Sequence, residues 1–234
     1  MSSPKAMCKK KPVIIFTGSR LPKEAAELAL QNGAQVEYYP LIETVLRNTR
    51  APDFERYGWL IFTSRNSAEA FCKLRPEIDA KIAAVGDKTA EMLEENGYTV
   101  DFIPSTFSAD VFVQEFPDIA GKERCLFVRG ALAKDTILSM PLAIDEWTVY
   151  DTVKKHSNAQ ALAGMSNVTI IFASPSAVSA YTEAGGSFEG IRTAAIGHIT
   201  ERAIIEAGGE VDFRPETYTY LEIIQTIAKG SCSL

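Results

Sequence analysis

The strongest constraint on the fold of this chain is an internal duplication. The stretch IFTSRN at 61–66 returns as IFASPS at 171–176, and AAVGDKTAEML at 83–93 returns as AAIGHITERAI at 194–204. Both matches, like several others, are offset by 110 or 111 residues. A sequence repeated over such a length predicts a repeated structural unit. The 234 residues are therefore expected to contain two copies of one unit.

Each copy alternates short apolar runs with amphipathic stretches. Runs rich in Val, Ile and Phe, without polar alternation, are typical of parallel strands that helices cover on both faces. The predicted strands are 13–16, 35–39, 59–63, 82–85, 99–103, 125–128, 144–150, 168–173, 193–196 and 210–213. The predicted helices are 21–32, 66–75, 87–96, 108–116, 175–184, 198–207 and 219–228, with Asn66, Ser108 and Thr219 as N-caps.

Five predicted strands in each copy indicate an α/β protein of two flavodoxin-like parallel-sheet domains. Two symmetric stretches, YPLIET at 39–44 and VYDTV at 149–153, are candidate boundaries. Pro40 cannot continue a central ladder, so the chain is expected to leave its first sheet there. The periodicity leaves two arrangements open, two tandem domains or two interleaved ones.

Hydroxyl-bearing residues and glycines follow the predicted strands, where parallel α/β sheets bind their ligands. Each of these turns leads into a helix N-terminus, whose free N–H groups and positive dipole end suit an anion. The residues in these positions are Thr63, Ser64, Arg65, Gly86, Thr89, Ser174, Ser176, Gly197 and Thr200, and Arg129 and Lys134 follow another strand. For any single hydroxyl, helix capping alone is the simpler interpretation.

Composition excludes several function classes. A net charge of −6 offers no broad basic surface for nucleic acid or an anionic membrane. The four cysteines lack metal-ligand spacing, and His156 and His198 cannot assemble a metal cluster or a Ser–His–Asp triad. No GxGxxG or GxxxxGK[ST] motif follows a strand. With no signal sequence or membrane span, the protein is expected to be cytoplasmic.

At this point the residues resemble a known family. The ordered set IFTSRNSAEAF, AAVGDKTAEML, VYDT, IIFASPSAVSAY and AAIGHITERAI, ending in VDFRPETYT, is similar to uroporphyrinogen-III synthase over essentially the whole chain. The resemblance implies two flavodoxin-like domains joined by a two-stranded connection around an open cleft. Residues 1–39 and 153–234 would form one domain, 43–148 the other, and 40–42 with 149–152 the crossing strands.

The resemblance also implies a reaction. The substrate would be hydroxymethylbilane, a linear tetrapyrrole, and the product uroporphyrinogen III, with ring D inverted and water lost. No metal or organic cofactor is used in the family, and a monomer is expected, with transient contact to hydroxymethylbilane synthase. The family's functional tyrosine falls on Tyr150, which would assist departure of the hydroxyl. The hydroxyls and N–H groups of the strand ends named above would hold the substrate carboxylates.

Three positions depart from the family pattern or from the symmetry of the repeats. Ala173 stands where the first repeat has Thr63, so one hydroxyl is missing from the second strand end. RGALAK at 129–134 is similar to a bacterial RGxxGR pattern, but its Lys134 keeps the charge without the bidentate fork of arginine. Glu201 occupies a position where the family often has alanine.

Two other functional hypotheses remain open. Two α/β lobes could form a non-catalytic protein that binds an anion or a tetrapyrrole, because the fold alone does not fix function. A flavodoxin-like enzyme that uses a nucleotide or flavin is disfavoured, because the first strand is followed only by Thr17-Gly18-Ser19 rather than a longer phosphate-binding loop. For Tyr150 itself, a packing role is the simpler alternative.

Overall fold

The computed structural model describes residues 11–231 and contains two parallel sheets with helices packed on them. The strands are β1 (Val13–Phe16), β2 (Gln35–Tyr38), β3 (Ile42–Leu46), β4 (Trp59–Phe62), β5 (Lys81–Ala84), β6 (Cys125–Gly130), β7 (Ile144–Lys154), β8 (Val168–Phe172) and β9 (Arg192–Ala195). The helices are α1 (Lys23–Gln31), α2 (Arg65–Leu74), α3 (Asp87–Glu94), α4 (Ala109–Ala120), α5 (His156–Ala163), α6 (Pro175–Glu183), α7 (His198–Glu206) and α8 (Tyr220–Ser231). The α/β class with parallel-sheet cores is confirmed.

The two sheets draw their strands from both repeats. One has the order β2-β1-β8-β9, extended by a parallel bridge between Ala194 and Phe213. The other has the order β3-β7-β6-β4-β5, extended by the matching bridge between Ala83 and Phe102. Apart from β3, each sheet therefore has the flavodoxin-like order 2-1-3-4-5, with strands 1 and 2 from one repeat and the rest from the other. The arrangement is interleaved, which resolves the alternative that periodicity left open.

Contacts divide the chain into two compact units. Unit 1 comprises the residues up to Glu43 together with those from Val153 onwards, and unit 2 comprises Thr44–Thr152. The strands β3 and β7 link them and pair antiparallel, since the N–H of Arg47 donates to Val149 and the N–H of Lys155 donates to Leu41. β7 runs unbroken through Tyr150, so the predicted crossing at 149–152 lies within a continuous strand.

Both faces of each sheet are buried, which explains why the strands read as continuous apolar runs. In unit 2, Leu60 and Phe62 pack on one face of β4, and Trp59 and Ile61 pack on the other. Unit 1 repeats this pattern around β1. Because helices cover both faces, the side chains of the central strands β1, β4, β6 and β8 contribute apolar burial on both sides, worth about 1.5–3 kcal/mol for each large aliphatic or aromatic residue.

Two predicted strands, 99–103 and 210–213, are reduced to the single bridges at Phe102 and Phe213. The cause is the same in both repeats. The carboxylate of Asp101 accepts from the N–H of Ile82 at 2.8 Å, and that of Asp212 accepts from the N–H of Thr193 at 2.7 Å. A side-chain oxygen thus takes a donor that a backbone carbonyl of a regular strand would take.

The predicted elements also need three local corrections. The strand β3 and the helix α5 were not expected from the pattern. Asn66 is not the N-cap of α2, because the helix already begins at Arg65. The cap is Ser64, whose extended backbone lets its Oγ accept from the N–H of Ser67 at 3.2 Å. Ser108 caps α4 as predicted, and the Oγ1 of Thr219 accepts from the N–H of Glu222 at 3.2 Å.

The division into units generates a first prediction. A fragment of residues 44–152 is contiguous and holds a sheet with both faces covered, so it should fold alone and unfold cooperatively on heating, as followed by circular dichroism. Phe127→Ala in the same fragment removes a fully buried ring and should lower its stability by about 3–5 kcal/mol. A broad transition that this substitution leaves unchanged would contradict the prediction.

Candidate functional site

The carboxyl end of β4 in unit 2 brings together three hydroxyl groups that the sequence pointed to. Thr63 and Ser64 follow the strand and are half-buried. The Oγ of Ser64 lies 3.4 Å from the phenol oxygen of Tyr150, so either group can donate a long hydrogen bond to the other. Tyr150 is itself half-buried in β7. The predicted catalytic residue and two predicted binding residues are therefore neighbours.

Gly130 allows the ring of Tyr150 to occupy this position. A Cβ added to Gly130 would lie 2.2 Å from the Cζ of Tyr150, closer than any two carbon atoms can pack without a bond. The pairing of β6 with β7 shifts register between Arg129 and Gly130, which sets Tyr150 beside the glycine. The ring is therefore held against backbone and has little freedom to turn away. The RG of the RGALAK stretch was the only signal in the sequence for this glycine.

A pocket of about 310 Å³ opens beside Tyr150. Its lining combines a phenol, three aliphatic hydroxyls and one ammonium group with apolar side chains. The lining residues are Thr63, Ser64, Ala109, Leu132, Ala133, Lys134, Thr136, Ile137 and Tyr150. Such a lining can accept an apolar ring carrying a carboxylate, with Lys134 as the cation and the phenol as a proton or hydrogen-bond donor.

Arg129 is engaged with protein groups rather than open to solvent. Its buried guanidinium donates to Asp135 at 2.8 Å, and also to Glu146 and to the carbonyl of Ala133. Burial acts to lower the pKa of Arg129, but the hydrogen bonds and charges of Asp135 and Glu146 outweigh it and raise the pKa. The guanidinium also lies over the ring of Phe127, 5.2 Å from its centroid. In this structure Arg129 holds the loop that carries Lys134.

The turn after β5 forms the second predicted anion-binding site of unit 2. Gly86 is the N-cap of α3, and Thr89 is buried at the third helical position. The carboxylate of Asp87 accepts from the N–H of Lys88 at 2.6 Å, so the chain's own anion already occupies part of this helix N-terminus. Arg65, in the first turn of α2, is exposed.

Unit 1 carries the remaining four predicted residues. Ser174 caps α6 by accepting from the N–H of Ala177 at 3.3 Å, and its Oγ lies 3.0 Å from that of Ser176. Gly197 is the N-cap of α7, and Thr200 is buried in the same position that Thr89 has in α3. The structure thus pairs Ser174 with Ser176, and sets Gly197 with Thr200 on one helix N-terminus.

The sequence reasoning did not single out Tyr218. Its hydroxyl lies 2.9 Å from the Nδ1 of His198, and a Cβ on Gly197 would lie 3.3 Å from its ring. The signal was available in the duplication, because Tyr218 aligns with Phe107 at the offset of 111. Both aromatic residues follow a proline by three positions and precede a helix.

Among residues 11–231, no group of three or more His, Cys, Asp or Glu side chains is arranged to hold a metal ion. Nor does any helix within that range have the length and apolar character to cross a membrane. The candidate site therefore consists of hydroxyls, helix N-termini and one lysine, which together suit a carboxylate-bearing ligand.

Comparison with known proteins identifies a family. The family described as uroporphyrinogen-III synthase HemD matches residues 23–225. A uroporphyrinogen-III synthase of Chlorobaculum parvum is 28% identical over 224 residues, covering 86% of this chain and 91% of that protein. The fold is similar to the crystal structure of uroporphyrinogen-III synthetase from Helicobacter pylori, with a TM-score of 0.71, 18% identity, and coverage of 94% and 99% of the two chains. A mutant uroporphyrinogen III synthase of Thermus thermophilus gives 0.68 at 13% identity, with coverage of 95% and 100%.

The contacts of Arg129 generate a second prediction. Arg129→Ala removes two ion pairs and a packed guanidinium, and should lower the free energy of unfolding in urea by about 1–3 kcal/mol. Arg129→Lys should recover only part of this, because an ammonium group cannot reproduce the planar fork. The matched control is Arg202→Ala, which removes an exposed ion pair with Glu206 and should change stability little. Equal effects of the two alanine variants would contradict the role given to Arg129.

Proposed function

The chain belongs to the uroporphyrinogen-III synthase family, and on that basis we propose that it cyclises hydroxymethylbilane to uroporphyrinogen III, with loss of water and inversion of ring D. The family's reaction belongs to porphyrin and haem biosynthesis. The observation that carries the proposal for this chain is the Tyr150 hydroxyl, 3.4 Å from Ser64 and on the wall of a pocket that also contains Lys134.

The reaction does not require a strong acid or a strong base from the protein. Tyr150 donates a proton or hydrogen bond to the hydroxymethyl oxygen, which leaves as water and produces a resonance-stabilised cation. The substituted α-carbon of ring D attacks this cation to form a spiro intermediate. The bond from that carbon to its original bridge then breaks, and the freed bridge carbon closes the inverted macrocycle at the other α-carbon of ring D, which releases a proton. No electrons are gained or lost overall, so the reaction requires no redox cofactor.

Selecting the type III isomer demands more of the protein than assisting the departure of the hydroxyl. Hydroxymethylbilane is flexible, and it cyclises unaided to the uninverted type I isomer. The enzyme therefore has to hold one conformation in which the spiro carbon forms first. Many weak donors suit this role, since the substrate carries carboxylates on every ring. The proposed donors are the hydroxyls of Thr63, Ser64, Thr89, Ser174, Ser176 and Thr200, together with the N–H groups of Gly86 and Gly197.

We assign Lys134 and Arg65 to the same set, as cations that draw the polyanionic substrate towards unit 2. Arg129 supports this set by fixing the loop of Lys134, and direct contact with substrate remains a prediction for it. The protein is proposed to act in the cytosol as a monomer. Transient contact with hydroxymethylbilane synthase would shorten the time that the unstable bilane spends free.

The decisive experiment generates hydroxymethylbilane in situ with its synthase, adds this protein, oxidises the products and separates the isomers by chromatography. Production of the type III isomer above the uncatalysed mixture is expected. Type I alone would refute the proposed function and favour a non-catalytic protein that binds an anion or tetrapyrrole. Stabilisation of the protein by FMN alone in a thermal-shift assay would favour a flavin enzyme instead.

Tyr150→Phe tests the proposed role of the phenol. It removes the donor but keeps the ring against Gly130, so kcat should fall about 100-fold while the melting temperature changes little. The matched control is Tyr39→Phe, the tyrosine at the equivalent position of the first repeat, which should retain full activity. Thr89→Ala and Thr200→Ala should each cost less, because several donors share the substrate. An unchanged rate for Tyr150→Phe would show that Tyr150 only packs.

A further inference from the structure

Two aromatic side chains stand at matching positions at the carboxyl edges of the two sheets. Phe107 in unit 2 and Tyr218 in unit 1 are separated by 111 residues, the interval of the duplication. Their side chains are 60% and 52% exposed, whereas most other aromatic rings of the described chain lie in the cores. Large exposed apolar groups at a ligand-binding edge call for an explanation, because each leaves apolar area in contact with water.

The turns that carry these rings are built alike. The N–H of Ser108 donates to the carbonyl of Thr106 at 2.7 Å, and the N–H of Thr219 donates to that of Thr217 at the same distance. A glutamate of the following helix holds each turn, by accepting from the N–H of Ser105 at 2.9 Å in one repeat and from the N–H of Thr217 at 2.7 Å in the other. The turn is therefore tied down, and each ring is presented on a fixed backbone.

Each aromatic residue lies close to a helix whose N-cap is a glycine, Gly197 of α7 for Tyr218 and Gly86 of α3 for Phe107. A Cβ on Gly197 would lie 3.3 Å from the ring of Tyr218, and one on Gly86 would lie 3.9 Å from the Cβ of Phe107. The N–H groups of a first helical turn have no intrahelical partners and attract carboxylates. An aromatic residue and a helix N-terminus thus lie side by side in both units, and at Tyr218 the ring itself is in contact range of the glycine.

We propose that Tyr218 and Phe107 are substrate-positioning residues, each stacking on a pyrrole ring whose acetate or propionate binds the adjacent helix N-terminus. The proposal rests on the proposed function, which supplies a substrate of flat rings carrying carboxylates. A ring held by its face and by its side chain cannot swing, which is the restriction that selective closure requires. Aromatic rings prefer offset-stacked or edge-to-face partners, and a pyrrole supplies either.

The two subsites are unequal, and the one at Tyr218 is the stronger. In α3 the carboxylate of Asp87 already binds the N–H of Lys88 at 2.6 Å. The equivalent residue of α7 is His198, which brings no competing carboxylate and instead lies 2.9 Å from the Tyr218 hydroxyl. The first turn of α7 also carries Glu201, but its carboxylate accepts from Arg214 at 2.7 Å. A substrate carboxylate therefore meets an internal competitor for the helix N–H groups beside Phe107, whereas the acidic side chain near Tyr218 is paired with an arginine.

The test separates the ring from the hydroxyl. Tyr218→Ala should raise KM about tenfold and lower the fraction of type III product, with the melting temperature unchanged. Tyr218→Phe keeps the ring and loses the contact with His198, so it should stay within twofold of the parent in KM. Phe107→Ala should raise KM by a smaller factor, about threefold. Ile119→Ala, which removes a similarly exposed apolar side chain from α4, is the control and should leave KM unchanged.

The affinity for uroporphyrin III, followed by its own fluorescence anisotropy, provides a second readout that needs no turnover. Weaker binding to Tyr218→Ala but not to Tyr218→Phe is expected. Parent-like KM and affinity in both alanine variants would overturn the proposal, as would equal losses in Tyr218→Ala and Tyr218→Phe, which would assign the effect to the hydroxyl and His198. Failure of the proposed function is distinguishable, because the parent protein itself would then yield only type I product.

Discussion

Two parallel ladders, β1 with β8 and β4 with β6, carry the architecture, because each joins a strand of the first repeat to a strand of the second. Without the first ladder, β1 and β2 would be left as a two-stranded sheet, which is marginally stable at best. Without the second, β6 and β7 would keep only β3 as a further strand and would lose β4 and β5. The candidate site residues lie in the strands of these sheets or in the segments that follow them, so the geometry of the site depends on these central pairings.

The repeated sequence pattern predicted eight of the nine strands, because a strand that is covered on both faces appears in the sequence as an apolar run. It could not decide between tandem and interleaved domains, since each repeat contains a complete set of strands. The failures at 99–103 and 210–213 arise from Asp101 and Asp212, whose side chains take ladder donors in a way that residue type does not reveal. β3 was missed because it pairs only with β7 and lacks the fully apolar pattern of the other strands.

The sequence predicted which strand ends carry the site residues, but not which side chains contact one another there. Thr63, Ser64 and Tyr150 come from separate parts of the sequence, and only the β6–β7 register and Gly130 bring the phenol to Ser64. Arg129 is the type of residue that binds a carboxylate-bearing substrate, but in the structure its guanidinium is paired with Asp135 and Glu146. Pairing of this kind depends on side-chain reach across strands, which a linear pattern does not contain. The roles of these residues towards substrate stay predictions.

Differences between the repeats show where the two copies have diverged. The first repeat keeps Thr63 where the second has Ala173, and Asp87 where the second has His198. Tyr150 and Tyr39 each pack against the core of their own unit, but the glycine beside Tyr150, Gly130, aligns with Ser19 in the first repeat. The polar chemistry is therefore concentrated in unit 2, and unit 1 offers the less obstructed helix N-terminus.

Interleaving also has a consequence for the chain as it leaves the ribosome. β1 has two topologically equivalent partners, β4 of its own repeat and β8 of the other. Trp59 follows Phe16 by 43 residues, and Val168 follows it by 152. At a synthesis rate of roughly 5–20 residues per second, the correct partner emerges on the order of ten to thirty seconds after β1. The incorrect partner, β4, is therefore synthesised before the correct one.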